Sequence, residues 1–450
     1  MNRIFVIICS LAFVGITLYF LPNAAGAVLT LIICSGIAIT IIRHHSPDDD
    51  FLLKIFLMGL LLRVGFGLVL EIFDLRIFFG ADATAYDLYG YKLYQSWFEG
   101  VALTDDTSFG DFTSTESTGW GMYYLVAGIY SLIGRNILAA QFFCAVVGAG
   151  IAPMVYTCAH RIFGNRQVGK TAALMVAVFP AFVLWSSQLM KDGLIIFLLV
   201  LSITMVLQLQ ERFSYVAVAL LIFSLFGILS LRFYIFYMVA VAVIGSFAVG
   251  SSSNNQSIFK RVVAVLIIGL GLTYLGGVQT ASENFERFGN LERIQATRDN
   301  LATSAESGFG VDLDVSTTEG AISALPIGFA YLMFAPFPWQ VGNLRQVIAL
   351  PEVLLWWAMM PLLVFGLWYT IKNRLRSAIP VLLFTLLLTI GYSLFQGNVG
   401  TAYRQRTQIQ VFLYIFIAVG WTLRKEKKEN SKLESAVIGR RIRQNLSTNR

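Results

Sequence analysis

The chain has 450 residues, 57% of them hydrophobic and only 13% charged, with a mean hydropathy of +0.70. That composition excludes an ordinary soluble globular protein and points to a polytopic membrane protein. The formal charge is +7, and between Arg424 and Arg450 nine basic residues stand against three Glu; this reads as a cytoplasmic flank under the positive-inside rule, not as a nucleic-acid surface.

The first apolar run, 3–20, reads as an uncleaved membrane span, although Arg3 and Ala25-Gly26-Ala27 imitate a signal peptide. Further spans are predicted at 26–42, 52–73, 136–158, 168–187, 192–209, 214–230, 232–250, 260–276, 347–370, 378–395 and 408–423. In lipid every backbone polar group must be paired within the chain, so uniformly apolar runs of this length are helices. The expected fold is therefore all-α, with about twelve transmembrane helices. One transmembrane domain covers 1–423, and a basic tail covers 424–450. An even number of spans puts both termini on the same side, and the tail makes that side cytoplasmic. Arg43, Arg161, Arg166, Lys170, Lys260, Arg261, Lys372, Arg374 and Arg376 then also fall inside.

Two long external loops are expected, at about 74–135 and 277–346. From Asp74 to Thr118 the first carries eight acidic residues against Arg76 and Lys92. Within it, the run 119–134 is short for a span and reads as a re-entrant or interfacial helix on the outer side, with Trp120, Tyr123 and Tyr124 at headgroup level. The run 326–340 is treated likewise, because Pro336-Phe337-Pro338-Trp339 breaks it. The polar stretch 277–325 reads as a partly helical external cap. Cys9, Cys34, Cys144 and Cys158 lie in apolar runs and form neither a disulfide framework nor a metal cluster by spacing.

The outer face gathers the residues that could carry chemistry. Asp82 opens the acidic loop, with Asp87 and Tyr86 close by. Lys191-Asp192, Arg232 and Tyr403-Arg404-Gln405-Arg406 sit in short outer turns. These cations stand against the positive-inside bias, and ionisable groups at a membrane are functional candidates by default. A carboxylate beside several cations suits group transfer from a lipid phosphate. The Asp takes the acceptor hydroxyl's proton, and Arg or Lys stabilises the leaving phosphate. A donor already in the membrane needs no nucleotide fold or phosphate loop.

Asp82-Ala-Thr-Ala-Tyr86, Tyr123-Tyr124…Ile133-Gly134, Arg161-Ile-Phe-Gly164, Lys191-Asp192 and Arg404-Gln-Arg406 occur in this order. In this the chain resembles the GT-C superfamily of polyprenyl-phosphate-sugar-dependent glycosyltransferases, such as the protein mannosyltransferases and the aminoarabinose transferase of lipid A. It lacks the Pro-Pro-Leu start of the 119–134 helix and a large soluble C-terminal domain. The resemblance implies an inverting transfer on the outer face of a bacterial cytoplasmic (inner) membrane. Its substrates would be a polyprenyl-phosphate-linked sugar donor and a glycan, lipid or protein acceptor. Asp82 would be the base. Asp192 would orient the acceptor or help hold a divalent metal, and no other cofactor is implied. Lys191, Arg404 and Arg406 would bind the phosphate, with Arg232 and Tyr86 also expected at the substrate. Trp339 and Tyr403 are candidate sugar-stacking rings, with interfacial anchoring as the alternative.

Three other readings stay open at this point. An O-antigen-type polymerase or ligase would rest on Arg287, Arg293 and Arg298 of the late loop. A transporter or lipid flippase would want charges at mid-span. A purely structural membrane subunit would be indifferent to every outer-face charge.

Overall fold

The computed structural model describes residues 24–45, 48–80, 82–101, 119–249, 290–303, 307–310 and 313–448, with isolated residues at 15 and between 269 and 282. The expected spans 3–20 and 260–276 fall largely outside the described residues.

In chain order the helices are α1 (Ala25–His45), α2 (Asp49–Ile72), α3 (Arg76–Gly80), α4 (Asp82–Phe98), α5 (Trp120–Ile133), α6 (Ile137–Phe163), α7 (Arg166–Val178) and α8 (Pro180–Ser186). There follow α9 (Lys191–Glu211), α10 (Tyr215–Leu231), α11 (Phe233–Val249), α12 (Leu291–Thr303), α13 (Thr318–Phe334), a 3-10 turn at Pro338–Gln340, α14 (Leu344–Asn373), α15 (Leu375–Phe395) and α16 (Val399–Thr448). Among the described residues there is no strand, only an isolated bridge between Gly308 and Asn398.

Twelve spans are not confirmed. Among the described residues six helices are long and apolar enough to cross a membrane: α1, α2, α6, α9, α14 and α15. A seventh arises if α7 and α8, bent by 57° at Phe179, form one broken span. The bend has a local cause: Pro180 is the first residue of α8, and the residue before a proline is pushed out of the helical region, here to φ −66° and ψ 129°. The expected spans 214–230 and 232–250 are the shorter apolar helices α10 and α11, and 408–423 lies inside the 50-residue α16.

Helix ends follow the side chains available. Asn136, Asn165, Ser214 and Asn343 each accept a backbone N–H at the start of α6, α7, α10 and α14. Gly164 closes α6 in the left-handed conformation at φ +64°.

The centre of the bundle is α9, buried on nearly all sides and packed on α6 and α10. α16 lies along α14 and also touches α7 and α9. α1 is at the periphery, with Ile32, Ile33, Ile37 and Ile41 more than half exposed, a face suited to hydrocarbon. The run 119–134 forms the 14-residue α5, packed on α4 beside the bundle.

Charge collects at the two ends of α9. Lys191 and Asp192 begin it; Glu211 ends it, where Arg161 Nη1 donates to Glu211 Oε2 at 2.5 Å. The 21 residues of the helix put those ends roughly 30 Å apart, the thickness of a bilayer's hydrocarbon core.

Candidate functional site

Four elements converge at the Lys191 end of α9. Asp82 is the first residue of α4, Asp192 the second of α9, Arg232 the residue between α10 and α11, and Arg404 lies in the second turn of α16. Arg404 joins the two carboxylates: Nη1 donates to Asp82 Oδ2 at 2.8 Å, and Nε donates to Asp192 Oδ2 at 2.5 Å. Arg232 Nη2 takes the other Asp192 oxygen, Oδ1, at 3.3 Å.

The two carboxylates differ in environment. Asp192 is fully buried and both of its oxygens accept from guanidinium groups, while the Asp82 side chain is 48% exposed. A charge as buried as Asp192 needs full pairing. Its geometry is that of a group that fixes two cations. Asp82 is the carboxylate a substrate hydroxyl can reach.

Lys191 adds an amine. Gly119, the residue before α5, sits at φ +93°, and a Cβ there would lie 2.8 Å from Lys191 Nζ. Both the backbone angle and the close ammonium favour glycine at this position. Two guanidiniums therefore meet two carboxylates, with the Lys191 amine beside Gly119. Among the described residues Arg404 Nη2 and Arg232 Nη1 are buried donors with no acceptor. The Trp185 ring lies 5.6 Å from the Arg404 guanidinium and holds it from another side. An anion placed here would meet the unspent N–H groups of two guanidiniums.

Tyr86 stands one turn after Asp82, buried, with its ring 5.8 Å from that of Tyr123. Burial pushes its phenol up, so it stays protonated and able to donate. Asp87 faces away from the cluster into a separate contact. It accepts from the Tyr130 hydroxyl at 2.6 Å and from Arg135 Nη2 at 2.6 Å, tying α4 to α5.

The Arg404-Gln405-Arg406 triplet does not act as a pair. Two residues along a helix turn through about 200°, so the two guanidiniums diverge. Arg406 is buried and donates from Nη1 to the carbonyls of Met333 and Ala335, where α13 ends. Tyr403 donates to Glu352 Oε2 at 2.8 Å, within α14. Trp339 is 73% exposed and stacks on Phe337 with ring centroids 5.3 Å apart.

Sequence reasoning passed over Glu352 and Arg63, both buried inside apolar helices. Each is an ionisable residue within a span, which is itself a signal. As for a divalent metal, both oxygens of Asp192 are engaged, and among the described residues no three His, Cys, Asp or Glu side chains converge. Among the described residues the donor set does not fit a metal.

With this geometry in place, the comparison with known proteins bears on the site. Residues 118–275 match the family model for dolichyl-phosphate-mannose-protein mannosyltransferases. The GT-C resemblance holds. The matched stretch contains Lys191, Asp192 and Arg232, three of the five members of the cluster, and Gly119 beside them. No curated protein matches the chain. Over that stretch, about a third of the chain, the protein is similar to a family of GT-C-type membrane glycosyltransferases, and its six long apolar helices point to an integral membrane protein.

Proposed function

We propose that this GT-C protein transfers a sugar from a polyprenyl-phosphate donor to an acceptor hydroxyl on the outer face of a bacterial cytoplasmic membrane, in cell-surface glycan synthesis. The observation that carries the reading is the single guanidinium of Arg404 in contact with both Asp82 and Asp192. It sets a reachable carboxylate beside a cationic site for phosphate.

The step balances as an inverting displacement. The acceptor oxygen forms a bond to the anomeric carbon while its proton passes to Asp82. The bond from that carbon to the phosphate oxygen breaks, and the phosphate departs with the electron pair. Arg404, Arg232 and Lys191 stabilise the charge it gains. Asp192 is the counter-ion that keeps Arg404 and Arg232 aimed at the same place. Tyr86, protonated and one turn from Asp82, is available to donate to the donor or acceptor. Arg406 is bound to backbone carbonyls and belongs to the support of α13, not to the phosphate. Of the arginines on which the polymerase reading rests, Arg298 is bound to the Leu394 carbonyl at 2.9 Å and lies over Phe309, Arg293 lies on α12, and Arg287 falls outside the described residues.

The test is glycan product formation in cells carrying Asp82→Asn, with the variant's membrane level measured alongside. The swap keeps the shape and removes the base. A loss of about 10²-fold or more at normal protein level supports the reading; full activity sinks Asp82 as the base.

A further inference from the structure

Tyr403 and Arg404 are neighbours on α16, and successive residues on a helix point about 100° apart. Arg404 turns to Asp82 and Asp192. Tyr403 turns to α14, where its hydroxyl donates to Glu352 Oε2 at 2.8 Å. Glu352 is buried inside an apolar helix, and the transfer step above makes no use of it. A carboxylate in such a place is costly, so what it holds carries weight.

Glu352 and Arg406 hold Tyr403 from two directions. Glu352 takes the hydroxyl, and the Arg406 guanidinium lies over the ring, 5.1 Å from its centroid. Arg406 is fastened in turn to the Met333 carbonyl, which also accepts from Trp356 Nε1 at 2.9 Å, one turn after Glu352. The end of α13, the first half of α14 and the second turn of α16 are thus joined around one tyrosine. A ring fixed at its hydroxyl and on one face has little freedom to turn.

The same ring reaches the site through Trp185. Tyr403 and Trp185 meet edge to face, with centroids 6.5 Å apart and planes at 65°. Trp185 in turn lies 5.6 Å from the Arg404 guanidinium. Trp185 Nε1 is buried and has no acceptor among the described residues, so packing alone sets the tilt of the indole.

That tilt matters for Arg404. Its Nε and Nη1 are spent on two different carboxylates, and Nη2 is the donor left for an anion. Two bonds to separate acceptors let the guanidinium plane hinge about the line joining them. The Trp185 face limits that hinge and so decides where Nη2 aims.

We propose that Glu352 is a positioning residue: through Tyr403 and Trp185 it sets the plane of the Arg404 guanidinium. Its part in turnover rests on the transferase reading; its effect on Arg404 does not.

The experiment uses the full chain in detergent, labelled with 5-fluorotryptophan, and glycan product in cells at matched membrane level. The fluorine resonance of Trp185 is assigned by its loss in Trp185→Phe. Glu352→Leu and Tyr403→Phe should each move that resonance, and so should Arg404→Lys. Tyr403→Phe removes one oxygen and keeps the ring, so it folds even where Glu352→Leu does not. Both variants should lose about tenfold or more in product. Glu352→Gln keeps an oxygen for the Tyr403 hydroxyl and should restore the resonance and most of the product. In the Arg404→Lys background Tyr403→Phe should cost little more, because residues acting through one group do not add. A Trp185 resonance that stays in place in both Glu352→Leu and Tyr403→Phe would overturn the proposal whether or not the protein is a transferase. A loss from Tyr403→Phe that persists in full in the Arg404→Lys background would overturn it too. Full product from Asp82→Asn beside a moved resonance would refute the base and still support the placement of Arg404.

Discussion

Arg63, inside the apolar helix α2, donates from Nε to the Ser186 hydroxyl at 2.7 Å, across 123 residues of sequence. Its Nη1 donates to the carbonyls of Gly59 and Ala177 at 3.0 and 3.2 Å. The side chain thus pins the bend between α7 and α8 and the loop that leads into Asp192. Gly148 lets α6 come equally close, since a Cβ there would lie 2.4 Å from Ser186 Cβ. Arg63→Met keeps the volume but strands the buried Ala177 carbonyl and leaves Ser186 Oγ only its bond to the Phe182 carbonyl, a cost of about 1–3 kcal/mol. The expected result is a lower melting temperature in detergent together with reduced turnover. An unchanged melting temperature would show that the contact is not needed to hold the loop.

Arg404 is the residue whose loss should be felt in both stability and activity. Arg404→Ala leaves the buried Asp192 with Arg232 alone, at a cost of about 3 kcal/mol. Arg404→Lys keeps the charge but cannot reach both carboxylates through one planar fork. The lysine variant should therefore reach the membrane at near-normal level yet lose about 10²-fold in product formation. Wild-type activity in the lysine variant would mean that charge alone suffices.

Asp87 offers the contrast to Asp82. Its partner Arg135 is 46% exposed, and such ion pairs contribute about 0–1 kcal/mol. Its other partner, Tyr130, is fully buried. Arg135→Gln should stay within about twofold of wild-type activity, and Tyr130→Phe should cost about 1 kcal/mol in stability. Thermal melts of the two variants check the order. A larger effect from Arg135 would overturn this account of how α4 is held on α5.

At the opposite end of the bundle, Asp48 predicts an acid limb. It accepts from the Tyr156 hydroxyl and lies 3.6 Å from Arg166 Nε and 3.9 Å from Lys170 Nζ. The Tyr156 hydrogen bond, aided by the two cations and opposed by partial burial, holds its carboxyl below the usual range. A depressed carboxyl adds stability that is fully present above its unfolded pKa of about 3.9 and is lost as the pH falls through the folded value. The melting temperature of the wild type should therefore drop below about pH 4 more steeply than that of Asp48→Asn. Parallel acid limbs would remove Asp48 from the account.

The residues that meet at Arg404 were legible in the chain as charge set between apolar runs: Lys191, Arg232 and Arg404 as cations in short turns, and Asp82 at the head of an acidic loop. Apolar runs located the six long helices because hydrocarbon imposes length and composition together. Three things escaped. The split of Arg404 from Arg406 follows from helical rotation, which a view of the triplet as a turn concealed. Arg63 and Glu352 were hidden because a single charge barely dents the hydropathy of a long run. Residues 307–309 pair with 397–399 through backbone bonds, and such pairing leaves no periodic trace in sequence.

The ion clusters at the two ends of α9 have a consequence for how the protein sits. Sliding the helix along the bilayer normal in either direction would drag charge into hydrocarbon: Asp192 and its guanidiniums one way, Glu211 and Arg161 the other. The two clusters act as stops. They hold the Asp82–Arg404 contact at a constant depth, at the boundary between water and lipid.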